Sequence, residues 1–165
     1  MALVHHCGVD NVSKNNIVHR NVTAGEDHEH PIEIVWSGCE KEGGKFQNYS
    51  NFNNIYLMDN VTDLTFYRNH HRFDEESSHF YQNLFWSPNE SDKDMKMFPS
   101  GLDWYEWMET GIDTNSIWAD PKLMDPSTGQ YVLGNDSPAL GLGIQQIQLD
   151  NFGIQENVKL FYNQN

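Results

Sequence analysis

Residues 51–61 read NFNNIYLMDNV, and two other stretches carry the same phrase: NVSKNNIVHRNV at 11–22 and SHFYQNLFWSPN at 78–89. In each, an asparagine is followed by an aliphatic residue: Asn16-Ile17, Asn54-Ile55 and Asn83-Leu84, at intervals of 38 and 29 residues. Self-similarity on this scale is the mark of stacked repeat units. Other short runs, IEIVW (Ile32–Trp36), LTFYR (Leu64–Arg68) and SIWAD (Ser116–Asp120), are rich in β-branched and aromatic residues and punctuated by Gly, Asn and Asp, as strands are. No amphipathic helical period is sustained before residue 100. Asparagine suits the bends of such units, because its short amide tolerates left-handed backbone and can bond its counterpart in the next unit. The pattern predicts an all-β chain, a right-handed parallel β-helix. On repetition alone, an antiparallel sandwich with a chance asparagine echo is an equal alternative.

The chain changes character at Ser100. SGLDWYEWMETG (100–111) has Ser100 as a candidate N-cap, Asp103 three residues on, then helix formers, aromatics and Gly111 as a candidate C-cap, which predicts one short helix. Pro and Gly are dense beyond it, predicting turns around one strand, Gln130–Leu133. A stack of repeats needs an atypical terminal unit. Residues 1–99 are therefore expected to form the β-helix coils, and 100–165 the C-terminal cap of the same domain.

At 165 residues the chain is sized for one domain, and five Trp, seven Tyr and nine Phe supply a large buried area. Trp36, Phe85, Trp86, Trp104, Trp107 and Trp118 could include sugar-stacking platforms, but most are expected in core and cap. Ten Lys and Arg against 24 Asp and Glu give a net charge of -14. That sign argues against nucleic acid and anionic membrane as partners and suits cations or neutral polymers. No apolar run approaches a membrane span. Asn-x-Ser/Thr occurs at Asn11, Asn21, Asn48, Asn60, Asn89 and Asn135, where a composition of 18 Asn and 17 Ser or Thr gives about two by chance. Asn135 is a poor acceptor because Pro138 follows its Ser137. The excess points to an extracellular, secreted glycoprotein whose leader lies outside the sequence. Cys7 and Cys39 are the only cysteines; they read as buried thiols, although a single bridge between neighbouring coils is geometrically possible.

Titratable residues gather in two places. In Asp27-His28-Glu29-His30, strand alternation would set the two imidazoles on one face and the two carboxylates on the other. NHHRFDEESSH (Asn69–His79) adds His70, His71, Asp74, Glu75 and His79. His28 with His30, joined by His5 or His6 and a carboxylate, could hold zinc or iron. The spacing matches no strong metal signature, so no metal site is assigned and no cofactor is expected. Asp92 and Asp94 are too sparse for calcium. Residues of this kind at bends also serve simply to bond turn backbone.

The block GLDWYEWMETGIDTNSIWADPKLMDPSTGQYVLGNDSPALGLG (101–143) resembles the C-terminal end of right-handed parallel β-helix proteins of the pectin-lyase-like superfamily. These finish with a Trp-bearing helix, then D-x-x-S-x-x-x-D-P (here Asp113 to Pro121), D-P-x-x-G-x-Y/F-x-L (Asp125 to Leu133) and S-P-A-x-x-x-G (Ser137 to Gly143). The opening HHCGVDNVSKNNIVHRN is similar to the group's H-x-G-x-x-N-x-x-x-N-N-I coil, and GEDHEHPIEIVW to a following coil. The resemblance runs from about Ala2 to Ile154. It implies a parallel β-helix whose earlier coils precede Met1, and a carbohydrate-active protein, the C-terminal part of a polysaccharide-degrading glycoside hydrolase. The rival class is a non-catalytic glycan-binding or surface protein on the same scaffold. His6, Glu26 and His28 are the catalytic positions carried over by the match, on an outward face along which a sugar chain would lie. The implied partners are a polysaccharide or glycan and, at the open end of the stack, the missing coils or a second copy.

Overall fold

The computed structural model of the chain describes residues 3–6, 8–21, 33–36, 46–59, 67–69 and 78–147. These residues are mostly short strands, with few helices. The strands recur in successive sets along the sequence, each set a round in chain order only; the first contains β1 (Leu3–His6), β2 (Gly8–Val9), β3 (Val12–Lys14) and β4 (Ile17–Asn21). A second contains β5 (Glu33–Trp36), β6 (Phe46–Gln47), β7 (Tyr49–Phe52) and β8 (Ile55–Asp59). The third has β9 (Tyr67–Asn69), β10 (Ser78–Tyr81) and β11 (Leu84–Trp86), and the fourth β12 (Asp113–Thr114) and β13 (Ile117–Trp118). Like strands of successive rounds pair in parallel, giving sheets ordered β1-β5-β9, β3-β7-β10-β12 and β4-β8-β11-β13, with β2 beside β6. The fold is thus all-β with parallel sheets, and the antiparallel alternative falls away. Among the described strands, only β14 (Leu123–Asp125) and β15 (Gln130–Leu133) form an antiparallel ladder.

The bend between the two central strands of each round explains the register. Asn15, Asn53, Gln82 and Asn115 occupy equivalent positions there, all with φ between 53° and 58°. Short amide side chains tolerate that left-handed backbone better than most, and single residues of this kind turn the chain sharply. A second column of bends holds Asp10 and Asn48 (φ 62° and 55°), joined by a 2.9 Å bond from Asn48 Nδ2 to Asp10 Oδ1.

One residue past each central bend stands a polar ladder. Asn16 Nδ2 donates to Asn54 Oδ1 (2.9 Å), and Asn54 Nδ2 donates to Asn83 Oδ1 (3.2 Å). The Asn83 backbone N–H donates to Ser116 Oγ (2.8 Å). The recurring asparagines of the sequence therefore hold equivalent positions beside paired parallel strands, and Ser116 adds a fourth rung with a hydroxyl. Asn51, Asn54 and Asn83 are wholly buried, and such burial is tolerated because their amides are bonded. Asn51 Nδ2 reaches the hydroxyls of Tyr49 (3.0 Å) and Tyr56 (2.8 Å), extending the network into the core.

Strand alternation divides the β4-β8-β11-β13 sheet into two faces. Val18, Tyr56, Phe85 and Trp118 share one register row and join an aromatic cluster with Tyr49, Phe80, Phe98, Trp104 and Trp107. The two Trp residues come from α1 (Trp104–Glu109). Its N-cap is Asp103, not Ser100: the Asp103 carboxylate accepts from the Glu106 N–H while the Glu106 carboxylate accepts from the Asp103 N–H, each at 2.9 Å. With Ser100 as cap, the return bond would fall to Asp103, whose side chain is one methylene shorter than that of Glu106. Ser100 instead takes a left-handed conformation in the preceding turn (φ 64°). At the other end Thr110 is the C-cap, and Gly111 follows it in the left-handed region (φ 73°).

The opposite face, with Ile17, Ile55, Leu57, Leu84, Trp86 and Ile117, is covered by Leu123, Tyr131, Leu133, Ala139, Leu142 and Ile144. The strand expected at Gln130–Leu133 is β15. A helical turn that the sequence reading did not anticipate, α2 (Pro138–Gly141), is capped by Ser137, whose Oγ accepts from the Ala139 N–H at 3.2 Å. This stretch runs back across the rounds. Asn53 Nδ2 donates to Leu142 O (2.5 Å), and the Gln145 N–H donates to Asn15 Oδ1 (2.7 Å). It thus uses the bend asparagines of the second and first rounds as anchors, flanking the sheet like a strap. No helix among the described residues is long and apolar enough to cross a membrane.

Candidate ligand-binding site

Two residues before each ladder rung, an outward column runs across the parallel sheet: Lys14, Phe52, Tyr81 and Thr114 are register partners. The Phe52 and Tyr81 rings are stacked, with centroids 4.6 Å apart and planes 7° from parallel. Lys14 Nζ lies 6.0 Å from the Phe52 centroid, within cation–π range. Phe52 is therefore covered from both neighbouring rounds. Tyr81 is covered from the β7 side, and its other ring face turns toward β12, where the column continues only with the short side chain of Thr114.

A cleft of about 470 Å³ opens at that step. His79 and Tyr81 of β10 form one wall; Thr110, Gly111, Ile112 and Thr114 form the other. The second wall is held by the end of α1. Thr110 Oγ1 donates to Trp107 O (2.6 Å) and accepts from the Ile112 N–H (3.2 Å), fixing the turn that delivers the chain to β12. Gly111 supplies the left-handed residue of that turn at no side-chain cost. His79 and Thr114 are exposed, and Tyr81 is half-buried. The cleft thus offers one aromatic face flanked by an imidazole and a hydroxyl, and none of its lining residues is Asp or Glu. The next residue back, Asp113, points to the interior. It is almost wholly buried, and burial pushes its carboxyl up to about 6, against the opposing pull of hydrogen bonds from Ser116 and Trp107.

A second cavity, about 280 Å³, lies between the sheet and the segment that carries β14, and is lined by His19, Leu57, Trp86, Asp120, Leu123 and Pro126, among others. Its imidazole is engaged, with His19 Nδ1 2.9 Å from the Tyr131 hydroxyl. Asp120 is exposed and accepts from the Lys122 N–H (2.8 Å). One carboxylate is present there, where glycoside hydrolysis uses two.

The residues singled out from sequence fall as follows. His6 belongs to β1, whose backbone pairs it with Trp36 of β5; its side chain lies outside the described residues. Glu26 and His28 lie outside them altogether, as do Cys7, Cys39, His70, His71, Asp74 and Glu75. Of the second titratable cluster, His79 is described and lines the larger cleft. Asp92 is buried and accepts a short hydrogen bond from Ser87 Oγ, while Asp94 is exposed. Among the described residues, no three His, Cys, Asp or Glu side chains converge as metal ligands. Phe85, Trp104 and Trp107 are core residues as expected, and Trp86 and Trp118 are half-buried.

Sequence reading missed Phe52, Tyr81 and Thr114. The signal was present: SKNN, NFNN, FYQN and DTNS occupy the same four positions of successive rounds, and their second letters are Lys14, Phe52, Tyr81 and Thr114. No protein-family model, curated protein or solved structure matches this chain.

Proposed function

We propose that the chain is the C-terminal portion of a secreted right-handed parallel β-helix protein, and that it binds a neutral polysaccharide by seating one sugar ring against Tyr81. The observation that carries this reading is the interrupted aromatic column: Phe52 and Tyr81 stack, the next rung is Thr114, and a cleft of about 470 Å³ stands in the vacated place. A pyranose presents a flat face of C–H groups that suits an aromatic ring, and hydroxyls at its rim that suit His79 and Thr114. The net charge of -14 favours a neutral chain over one of uronic acids. Binding is the chemistry this cleft supports. Hydrolysis by the same protein would fall to His6, Glu26 and His28. In the same reading, β3 and β4, at the edges of their sheets, are where a further coil or a second copy would pair.

The test is affinity electrophoresis and calorimetry against neutral glucans, mannans, xylans and galactans. Wild-type protein should bind at least one of them. Tyr81→Ala should weaken that binding about tenfold, equivalent to about 1.4 kcal/mol. Thr114→Tyr should fill the cleft, extend the stack and abolish binding while leaving the fold intact by circular dichroism. Wild-type protein that binds none of these polymers, or a Thr114→Tyr variant that binds as well as wild type, overturns the proposal.

A further inference from the structure

Of the six sequons, those at Asn11, Asn48, Asn89 and Asn135 lie wholly among the described residues; they take very different positions in the fold, and one of these four is built to be used. Asn11-x-Ser13 is compromised at its hydroxyl: Ser13 is buried, and its Oγ accepts from Asn16 Nδ2 at 3.3 Å. Asn48-x-Ser50 is compromised at its amide, because Nδ2 donates to Asp10 Oδ1 at 2.9 Å across the bend column. Asn135-x-Ser137 is followed by Pro138, and the buried Ser137 hydroxyl donates to Pro121 O (2.6 Å) while accepting from the Ala139 N–H. Asn89-Glu90-Ser91 differs at every point. All three residues are exposed. Asn89 has an extended backbone (φ -100°, ψ 114°), and its side chain makes no capping bond to the turn that follows. The fold holds that turn without the Asn89 and Ser91 side chains: the Ser87 hydroxyl donates to buried Asp92, and its Oγ accepts from the Asn89 backbone N–H at 3.3 Å.

We infer that Asn89 is an N-linked glycan attachment site of the folded protein. The donor would be an oligosaccharide carried on a lipid diphosphate. Asn89 Nδ2 attacks the sugar C1, the C1–O bond to diphosphate breaks, the C1–N bond forms, and the displaced amide proton passes to a base of the transferase. Nδ2 keeps one N–H, so the product needs only room in solvent, which an exposed turn gives. The same attachment at Asn48 would crowd the bond to Asp10.

The inference shares the expectation of a secreted chain but not the sugar-binding cleft, so the two fail separately. The test is translation of the full chain behind a cleavable leader into microsomes, followed by glycosidase digestion in ¹⁸O-water and peptide mass mapping. Asn89 should carry the mass tag, and Asn89→Gln and Ser91→Ala should each remove one glycan from the gel mobility pattern, leaving glycan binding by the protein unchanged. An untagged Asn89, or a mobility pattern that neither substitution alters, overturns the inference.

Discussion

Replacing Asn54 with alanine should be among the most damaging single changes the chain can suffer, although it removes only a small polar group. Asn54 is wholly buried. Its Oδ1 accepts from both the backbone N–H and Nδ2 of Asn16 (3.0 and 2.9 Å), and its Nδ2 donates to Ser13 O, Asn51 Oδ1 and Asn83 Oδ1 at 3.1–3.2 Å. Some partners keep another bond after truncation: Asn83 Oδ1 still accepts from the Asn54 N–H, and Asn51 Oδ1 from the Tyr56 hydroxyl. The Asn16 N–H and Ser13 O lose the partner that Asn54 gave them. At about 1–3 kcal/mol for the half-buried Asn16 N–H left without that partner, with a further increment for the other lost amide bonds and the space left behind, the loss should be about 2–4 kcal/mol. That is a large share of the 5–15 kcal/mol typical of a domain. Urea unfolding followed by tryptophan fluorescence reads it directly, since Trp104 and Trp107 sit in the core. Asn54→Ser should recover part of the loss, because Ser116 already shows a hydroxyl accepting from the backbone of the preceding round. A cost below about 1 kcal/mol for Asn54→Ala, the range of an ordinary surface change, would refute a structural role for the ladder.

Asp113 gives a dependence on pH with a defined sign. Its folded carboxyl lies at about 6, above the ordinary 3.8, so the folded state binds its proton more tightly than the unfolded chain. The stability it contributes is full below about pH 4 and lost as pH rises through 6, a difference on the order of 3 kcal/mol. Denaturant midpoints at pH 4 and 7 should show this slope in wild type and lose it in Asp113→Asn; equal slopes in the two proteins would contradict it. Ile144→Ala, on the strap, should cost about 2–4 kcal/mol and raise hydrogen exchange in β4 and β8, the strands beneath. Destabilisation confined to residues after Pro121 would show that the strap does not hold the sheet.

The polar ladder was legible in the sequence because one side-chain chemistry, the primary amide, does the same work at Asn16, Asn54 and Asn83. The fourth round escaped because Ser116 fills that place with a hydroxyl, and Gln82 breaks the run of asparagines at the bend while keeping its left-handed backbone. The outward column was harder. Lys14, Phe52, Tyr81 and Thr114 share a position but no chemistry, so the cleft exists as a change in side-chain size between neighbouring rounds, which register alone reveals. The strap was illegible for a different reason. Its anchors pair residues as far apart as Asn15 and Gln145, and no local pattern says which flank a turn-rich tail will cover. The spacing of Ser100 and Asp103 puts the N-cap of α1 at Ser100, whereas the reciprocal bonds of Asp103 and Glu106 set it three residues later.

The register of the rounds is tested most directly by paired cysteines. Val12 and Ser50 are parallel partners on adjacent strands, at a spacing of about 4.8 Å that a disulfide accommodates, and Val12 is exposed. Under mild oxidation, Val12→Cys with Ser50→Cys should form the cross-link, identified by peptide mass, while Val12→Cys with Phe52→Cys, two residues out of register, should not. Efficient cross-linking of the second pair and failure of the first would mean that Asn16 and Asn54 do not hold equivalent positions.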